Sequence, residues 1–246
     1  MKYPHLVCIL CVSLSHLVLA QQWKSLGPPG GRVRTVAVDP TNPNTVFAGT
    51  RNGLIFRSTD GGRSGELVND SSGYTSNVTD IAINPKNSKV IYSSQYRSSD
   101  GGETWQSMTV AGSFYAINEA DPMVVYAVAG KNVWVTRNGG DNWSLLYSFS
   151  NAVGDLVIAP SDTNILYADG NDASYGLYKS TNSGLSWYLT SLTLTPGDLV
   201  LSIAVNPKNS NVLYLGTKDA GIFKTIDGGG RWDQLLSTEW VNDIVL

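Results

Sequence analysis

The sequence predicts an all-β fold, a β-propeller of four-stranded blades. Three observations carry this: five tandem copies of one octapeptide, an apolar run closed by a Pro turn ahead of the copies, and no sustained period of 3.6 residues anywhere. The Asp or Asn of the octapeptide falls at positions 60, 100, 138, 182 and 227, so the repeat length is 38 to 45 residues.

Each unit reads as four short strands in order. The first is an apolar run closed by a turn: Val36-Ala37-Val38-Asp39-Pro40, Ile81-Ala82-Ile83-Asn84-Pro85, Leu156-Val157-Ile158-Ala159-Pro160 and Ile203-Ala204-Val205-Asn206-Pro207, with a variant around Ala120-Asp121-Pro122. The second is a β-branched and aromatic run such as Val46-Phe47, Val90-Ile91-Tyr92, Val124-Val125-Tyr126, Ile165-Leu166-Tyr167 and Val212-Leu213-Tyr214. The third carries an aromatic two residues before the octapeptide, namely Phe56, Tyr96, Trp134, Tyr178 or Phe223, a column expected in the core between blades. The fourth follows the Trp, as in Trp143-Ser144-Leu145-Leu146. A single unit cannot bury both faces of such a sheet, so units must stack face to face. Four-stranded units of roughly 40–45 residues fit propeller blades.

The two ends bear on blade number. Trp23-Lys24-Ser25-Leu26 matches the start of a fourth strand, and Trp240-Val241-Asn242-Asp243-Ile244-Val245-Leu246 matches a first strand. The expectation is five complete units plus partial blade strands at both ends, from a truncated six- or seven-bladed ring incomplete at the C-terminus. A further chain segment or a partner would complete it. Such an arc should show open strand edges and an apolar blade face.

Residues 1–20 read as a signal peptide: Lys2, an apolar stretch from Leu6 to Leu19, and Val18-Leu19-Ala20 before Gln21. Ser13, Ser15 and His16 interrupt the stretch, which is short of the roughly 20 residues of a membrane span. The mature propeller would then be residues 21–246, secreted to an extracellular or periplasmic space, with no membrane span after cleavage. Both Cys (Cys8, Cys11) and both His (His5, His16) lie in the leader. Cleavage would therefore exclude His-based triads, thiol nucleophiles, thiolate zinc sites and disulfides. Lys+Arg 17 against Asp+Glu 20, with no basic block, argues against nucleic acid as a partner. No cofactor or metal motif is evident, although Asp169-Gly170-Asn171-Asp172 offers oxygen ligands for calcium if it is not simply a polar insertion.

The octapeptide resembles the Asp-box, or bacterial neuraminidase repeat, Ser/Thr-x-Asp-x-Gly-x-Thr-Trp. The residues that carry the likeness are Ser58, Asp60 and Gly62; Ser98, Asp100, Gly102 and Trp105; Asn138, Gly140 and Trp143; Asn182, Gly184 and Trp187; Asp227, Gly229 and Trp232. The second copy fits best, the first has Gly65 in place of Trp, and the third and fourth carry Asn for Asp. The resemblance implies a propeller of the kind found in sialidases, xyloglucan hydrolases, sortilin-type receptors and photosystem II assembly factors. It also implies that the boxes are structural hairpins on the outer rim.

One polar column remains for function. Aligned five residues before their Pro, the first strands carry Thr35, Asp80, Asp155 and Ser202, and Asp243 takes the same place in the last run. The innermost strand of a propeller lines its channel, so these positions should ring one mouth. The carboxylates there are solvated strand starts, a ligand or cation site, or an acid–base pair with mutually raised pKa values. The sialidase Phe/Tyr-Arg-Ile-Pro signature is absent, the nearest string being Ile55-Phe56-Arg57-Ser58. The leading expectation is a non-catalytic module that binds a glycan or protein at a propeller mouth. The alternative is a xyloglucanase-like glycoside hydrolase, with sialidase and photosystem II assembly factor behind it.

Overall fold

The computed structural model describes residues 32–69, 77–170, 176–244 and 246. The leader, the Trp23–Leu26 run, Asn171 and Asp172 lie outside the described residues. Within them the protein is all-β, with no helix, built as five four-stranded blades of a propeller.

Every blade is a meander whose strands pair antiparallel with their sequence neighbours. Blade 1 comprises β1 (Val33–Asp39), β2 (Asn42–Thr50), β3 (Ile55–Ser58) and β4 (Glu66–Leu67). Blade 2 comprises β5 (Ala82–Ile83), β6 (Ile91–Ser93), β7 (Tyr96–Ser98) and β8 (Gln106–Ser107). Blade 3 comprises β9 (Phe114–Ile117), β10 (Val125–Ala129), β11 (Asn132–Thr136) and β12 (Ser144–Ser148). Blade 4 comprises β13 (Leu156–Ile158), β14 (Leu166–Gly170), β15 (Gly176–Ser180) and β16 (Tyr188–Leu189). Blade 5 comprises β17 (Val200–Val205), β18 (Leu213–Thr217), β19 (Ile222–Thr225) and β20 (Asp233–Leu236). The innermost strands β1, β5, β9, β13 and β17 are successive neighbours, so together they form the wall of the channel.

Local chemistry sets the turns. The side chain of Asn84 accepts the N–H groups of Lys86 and Asn87, and that of Asn118 accepts those of Ala120 and Asp121. Asp39 does the same for Thr41 and Asn42. These Asx turns reverse the chain between first and second strands. At the octapeptides, the Ser58, Ser98, Thr136, Ser180 and Thr225 hydroxyls accept the Gly62, Gly102, Gly140, Gly184 and Gly229 N–H groups, respectively. Each hydroxyl donates to its Asp or Asn two residues on, which in turn accepts the N–H four residues further along. Both oxygens of Asp100 are engaged in this way, and these hydrogen bonds hold its carboxyl down at about 2. The second Gly of the box is left-handed, at φ 87° in Gly102 and 99° in Gly140, a conformation that L side chains avoid. An Asn at positions 138 and 182 serves as well as Asp because the turn needs an acceptor rather than a charge.

The blades are stitched by the second strands. Phe47, Tyr92, Tyr126 and Tyr167 are fully buried. The Tyr92 hydroxyl donates to Gly139 O at 2.9 Å, in the box of the next blade. Tyr126 reaches Ser183 O, and Tyr167 reaches Ser210 O at the turn of blade 5. The third-strand aromatics Phe56, Tyr96, Trp134, Tyr178 and Phe223, expected in the core between blades, are half-buried, and Trp134, Tyr178 and Phe223 pack against its buried clusters. Both middle strands of each sheet are central, but the second stands nearer the channel, where the blades converge.

An apolar face is open, as the sequence implied. Val36 is 60% exposed and Val38 52%, whereas Ile81, Leu156 and Ile203, which match Val36 in the other blades, are at 5%, 4% and 8%. Each inner strand is covered by the blade before it, and among the described residues nothing covers β1.

Candidate functional site

The register of the inner strands fixes which residues share a level of the channel. Asn84, Asn118, Ala159 and Asn206 each donate their N–H to the carbonyl six residues on, Val90, Val124, Ile165 and Val212. Counting back four residues gives Asp80, Phe114, Asp155 and Ser202, and the paired residues Ala37 and Phe47 put Thr35 at the same level. The ladder register breaks between Val33 and Thr35 and between Val200 and Ser202, beside this level in β1 and β17. Such irregularities re-aim side chains at strand ends.

Phe114 is the residue that the alignment on Pro missed. Blade 3 has Glu119 after Asn118, where blade 2 has Pro85 after Asn84, so its Pro122 gives a false register. The hydrogen bond from Asn118 N to Val124 O restores it. Asp80 and Asp155 thus stand on alternate blades, with a half-buried aromatic ring on the blade between them.

Asp80 and Asp155 line one cavity of about 260 Å³, which runs along β9 and β13 from Phe114 to Thr163. Asp80 takes the Tyr115 N–H on its Oδ2 at 2.8 Å and so ties blade 2 to blade 3. Burial pushes its carboxyl up to about 7; the Tyr115 amide works against this and the charge of Asp155 adds to it. Asp155 is also raised, first by burial and then by Asp243, while its own Leu156 N–H, at 2.7 Å from Oδ1, pulls the other way.

Asp243 sits on the run that follows blade 5. Val241 donates to Thr217 O as Val78 donates to Thr50 O and Val153 to Gly130 O, two residues before Asp80 and Asp155, respectively. The Ile244 N–H is held by the Ser202 hydroxyl at 2.9 Å. Asp243 therefore occupies the expected column, but it is exposed and is not part of the cavity lining.

A second carboxyl joins Asp155 from β14. Asp169, 9% exposed, accepts the N–H of Asp155 at 2.8 Å and that of Gly154 on the same oxygen. Gly154 is required there, since a Cβ would collide with the Asp169 carboxyl. Burial pushes Asp169 up to about 7, with Asp155 contributing a further rise. Sequence reasoning placed Asp169 in a calcium-binding or solvated insertion. The structure instead turns it inward at the end of a buried strand, and among the described residues no cluster of acidic, His or Cys side chains is arranged to hold a metal. The box residues, by contrast, are committed to turn hydrogen bonds on the hairpins between third and fourth strands and face neither of these groups.

Among the described residues, no Lys or Arg lines the cavity between Asp80 and Asp155. Two carboxyls both raised by burial, in a cleft where no described cation lies, are a donor–acceptor pair able to deliver and collect a proton.

No family model matches the chain. It is 29% identical over 195 residues to a xyloglucanase from Paenibacillus sp, an alignment covering 72% of this chain and 19% of the relative. It is 22% identical to a xyloglucanase from Hypocrea jecorina, covering 99% of this chain and 35% of that one. The chain thus spans about a fifth to a third of the length of these relatives. Among solved structures, a GH74 enzyme of Niastella koreensis superposes with a TM-score of 0.69 at 21% identity, over 83% of this chain and 38% of that one. The GH74 xyloglucanase from Xanthomonas campestris gives 0.69 at 17% identity, over 86% and 41%. These superpositions establish the propeller fold. The sequence similarity to xyloglucanases overturns the expectation of a non-catalytic binding or scaffolding module and favours the hydrolase alternative.

Proposed function

We propose that this propeller belongs to a glycoside hydrolase acting on a neutral β-glucan of the xyloglucan class, exported by cleavage of residues 1–20. The observation that carries the reading is the similarity to xyloglucanases across most of the chain. The site chemistry supports it. Asp80, neutral up to about pH 7, is the general acid that protonates the glycosidic oxygen as the C–O bond breaks. Asp155, across the Phe114 blade, takes the proton of the attacking water or attacks the anomeric carbon itself. The absence of Lys and Arg from the cavity lining disfavours the anionic sugars of a sialidase.

The test is hydrolysis of xyloglucan, cellulose-type β-glucans and sialylated glycans by the full chain and by Asp80→Asn and Asp155→Asn. The expected result is release of reducing ends from xyloglucan, reduced by about 100-fold or more in either variant. Unchanged turnover in both variants would move the catalytic pair elsewhere. Absence of turnover on every glycan would remove the hydrolase reading.

A further inference from the structure

On the far side of Asp155 lies a second cavity, of about 250 Å³, bounded by Phe114, Gly154, Asp169, Gly170 and the Leu199–Leu201 segment. It shares Phe114 and Asp155 with the first cavity, so the two adjoin at these residues beside the inner strands of blades 3, 4 and 5. Each is smaller than the ~300–1,000 Å³ of a drug-sized pocket and suits a small ring.

We propose that this second cavity is a binding subsite for an uncharged pyranose ring, adjacent to the ring held between Asp80 and Asp155. The inference rests on the glycan-directed reading above and extends it to a site beyond the acid–base pair.

The lining matches the two-faced chemistry of a sugar. Phe114, Leu199, Val200 and Leu201 offer an apolar wall to the C–H face of a pyranose. Asp155 and Asp169 offer carboxyl oxygens to its hydroxyls. Asp169 and the apolar wall are both fixed before a ligand arrives. Asp169 is pinned by the Gly154 and Asp155 N–H groups. The start of β17 is pinned by Asp198, which accepts the Leu199 and Asp219 N–H groups at 2.9 and 2.8 Å. Charge selects against other ligands. Among the described residues no Lys or Arg lines the cavity, which disfavours uronates, sialates and phosphates. Among the described residues the carboxyls do not form a set arranged for a metal.

The test is an amide-resolved NMR titration of the full chain with cellotetraose, with a galacturonic acid tetramer as the charged control. The expected result is saturable shifts at Gly154, Gly170 and Leu199–Leu201 as well as at Ile117 and Thr163, with none from the charged oligomer. Leu201 is half-buried, and Leu201→Trp should erase the shifts in blade 5 while keeping those at Ile117 and Thr163. Shifts confined to Ile117 and Thr163, no shifts at all, or equal response to the charged oligomer overturn the subsite. The map from the unsubstituted chain decides this even if Leu201→Trp fails to fold. Shifts at Leu199–Leu201 without hydrolysis would keep the subsite and remove the hydrolase reading. Hydrolysis without those shifts would do the reverse.

Discussion

Asp80→Asn should make the protein more stable at alkaline pH and leave it unchanged at acid pH. In the native state burial pushes the Asp80 carboxyl up to about 7 from its ordinary value of 3.8. A carboxyl raised in this way is protonated in the folded chain where the unfolded chain is ionised, so the folded state holds the extra proton. Stability contributed by that proton is present below about pH 4 and is lost as pH climbs through 7. Three pKa units at about 1.4 kcal/mol each give about 4 kcal/mol as the upper bound, and the water that reaches a half-buried carboxyl brings this nearer 2. Asn keeps an oxygen for the Tyr115 N–H, 2.8 Å away in the native chain, while removing the charge. Urea denaturation from pH 4 to pH 9 tests this. The unsubstituted protein should lose stability across the range, and Asp80→Asn should lose less, because Asp155 and Asp169, which are also raised, supply the remaining drop. Parallel curves for the two proteins would refute the argument, since they would mean that Asp80 ionises freely in the folded state.

Further outcomes follow from other parts of the molecule. Tyr92→Phe removes the 2.9 Å hydrogen bond to Gly139 O across blades 2 and 3, and should cost about 1–2 kcal/mol in urea denaturation at pH 7. Asp100→Ala strips the acceptor from Ser98 and Thr104 and should cost about 1–3 kcal/mol, while Asp100→Asn, which copies the boxes at Asn138 and Asn182, should cost less than half as much. Gly154→Ala sets a Cβ against the Asp169 carboxyl. It should displace the strand start that carries Asp155; on the proposed hydrolase reading this lowers xyloglucan turnover by about tenfold or more with a smaller change in KM, as expected when a catalytic group is misplaced.

The sequence determined the architecture because a repeat writes its own constraints several times over. Ser58, Ser98, Thr136, Ser180 and Thr225 all make the same bond to a box glycine, so five local turns and the four-stranded meander between them are legible without tertiary knowledge. Asp80 and Asp155 were legible for the same reason, standing at one offset from Pro85 and Pro160. Phe114 was not, because Glu119 replaces the anchoring Pro and only the Asn118–Val124 hydrogen bond gives the register. Tertiary structure alone decided Asp169. Nothing in Ala168-Asp169-Gly170 distinguishes a solvated loop from a buried strand end, and it is the fold of blade 4 that brings this carboxyl to the Gly154 and Asp155 amides fifteen and fourteen residues earlier. The titration of these groups belongs to tertiary structure too. A carboxyl's pKa is set by the water and charges around it, and the packing that limits water around Asp80, Asp155 and Asp169 exists only once the inner strands of separate blades stand side by side.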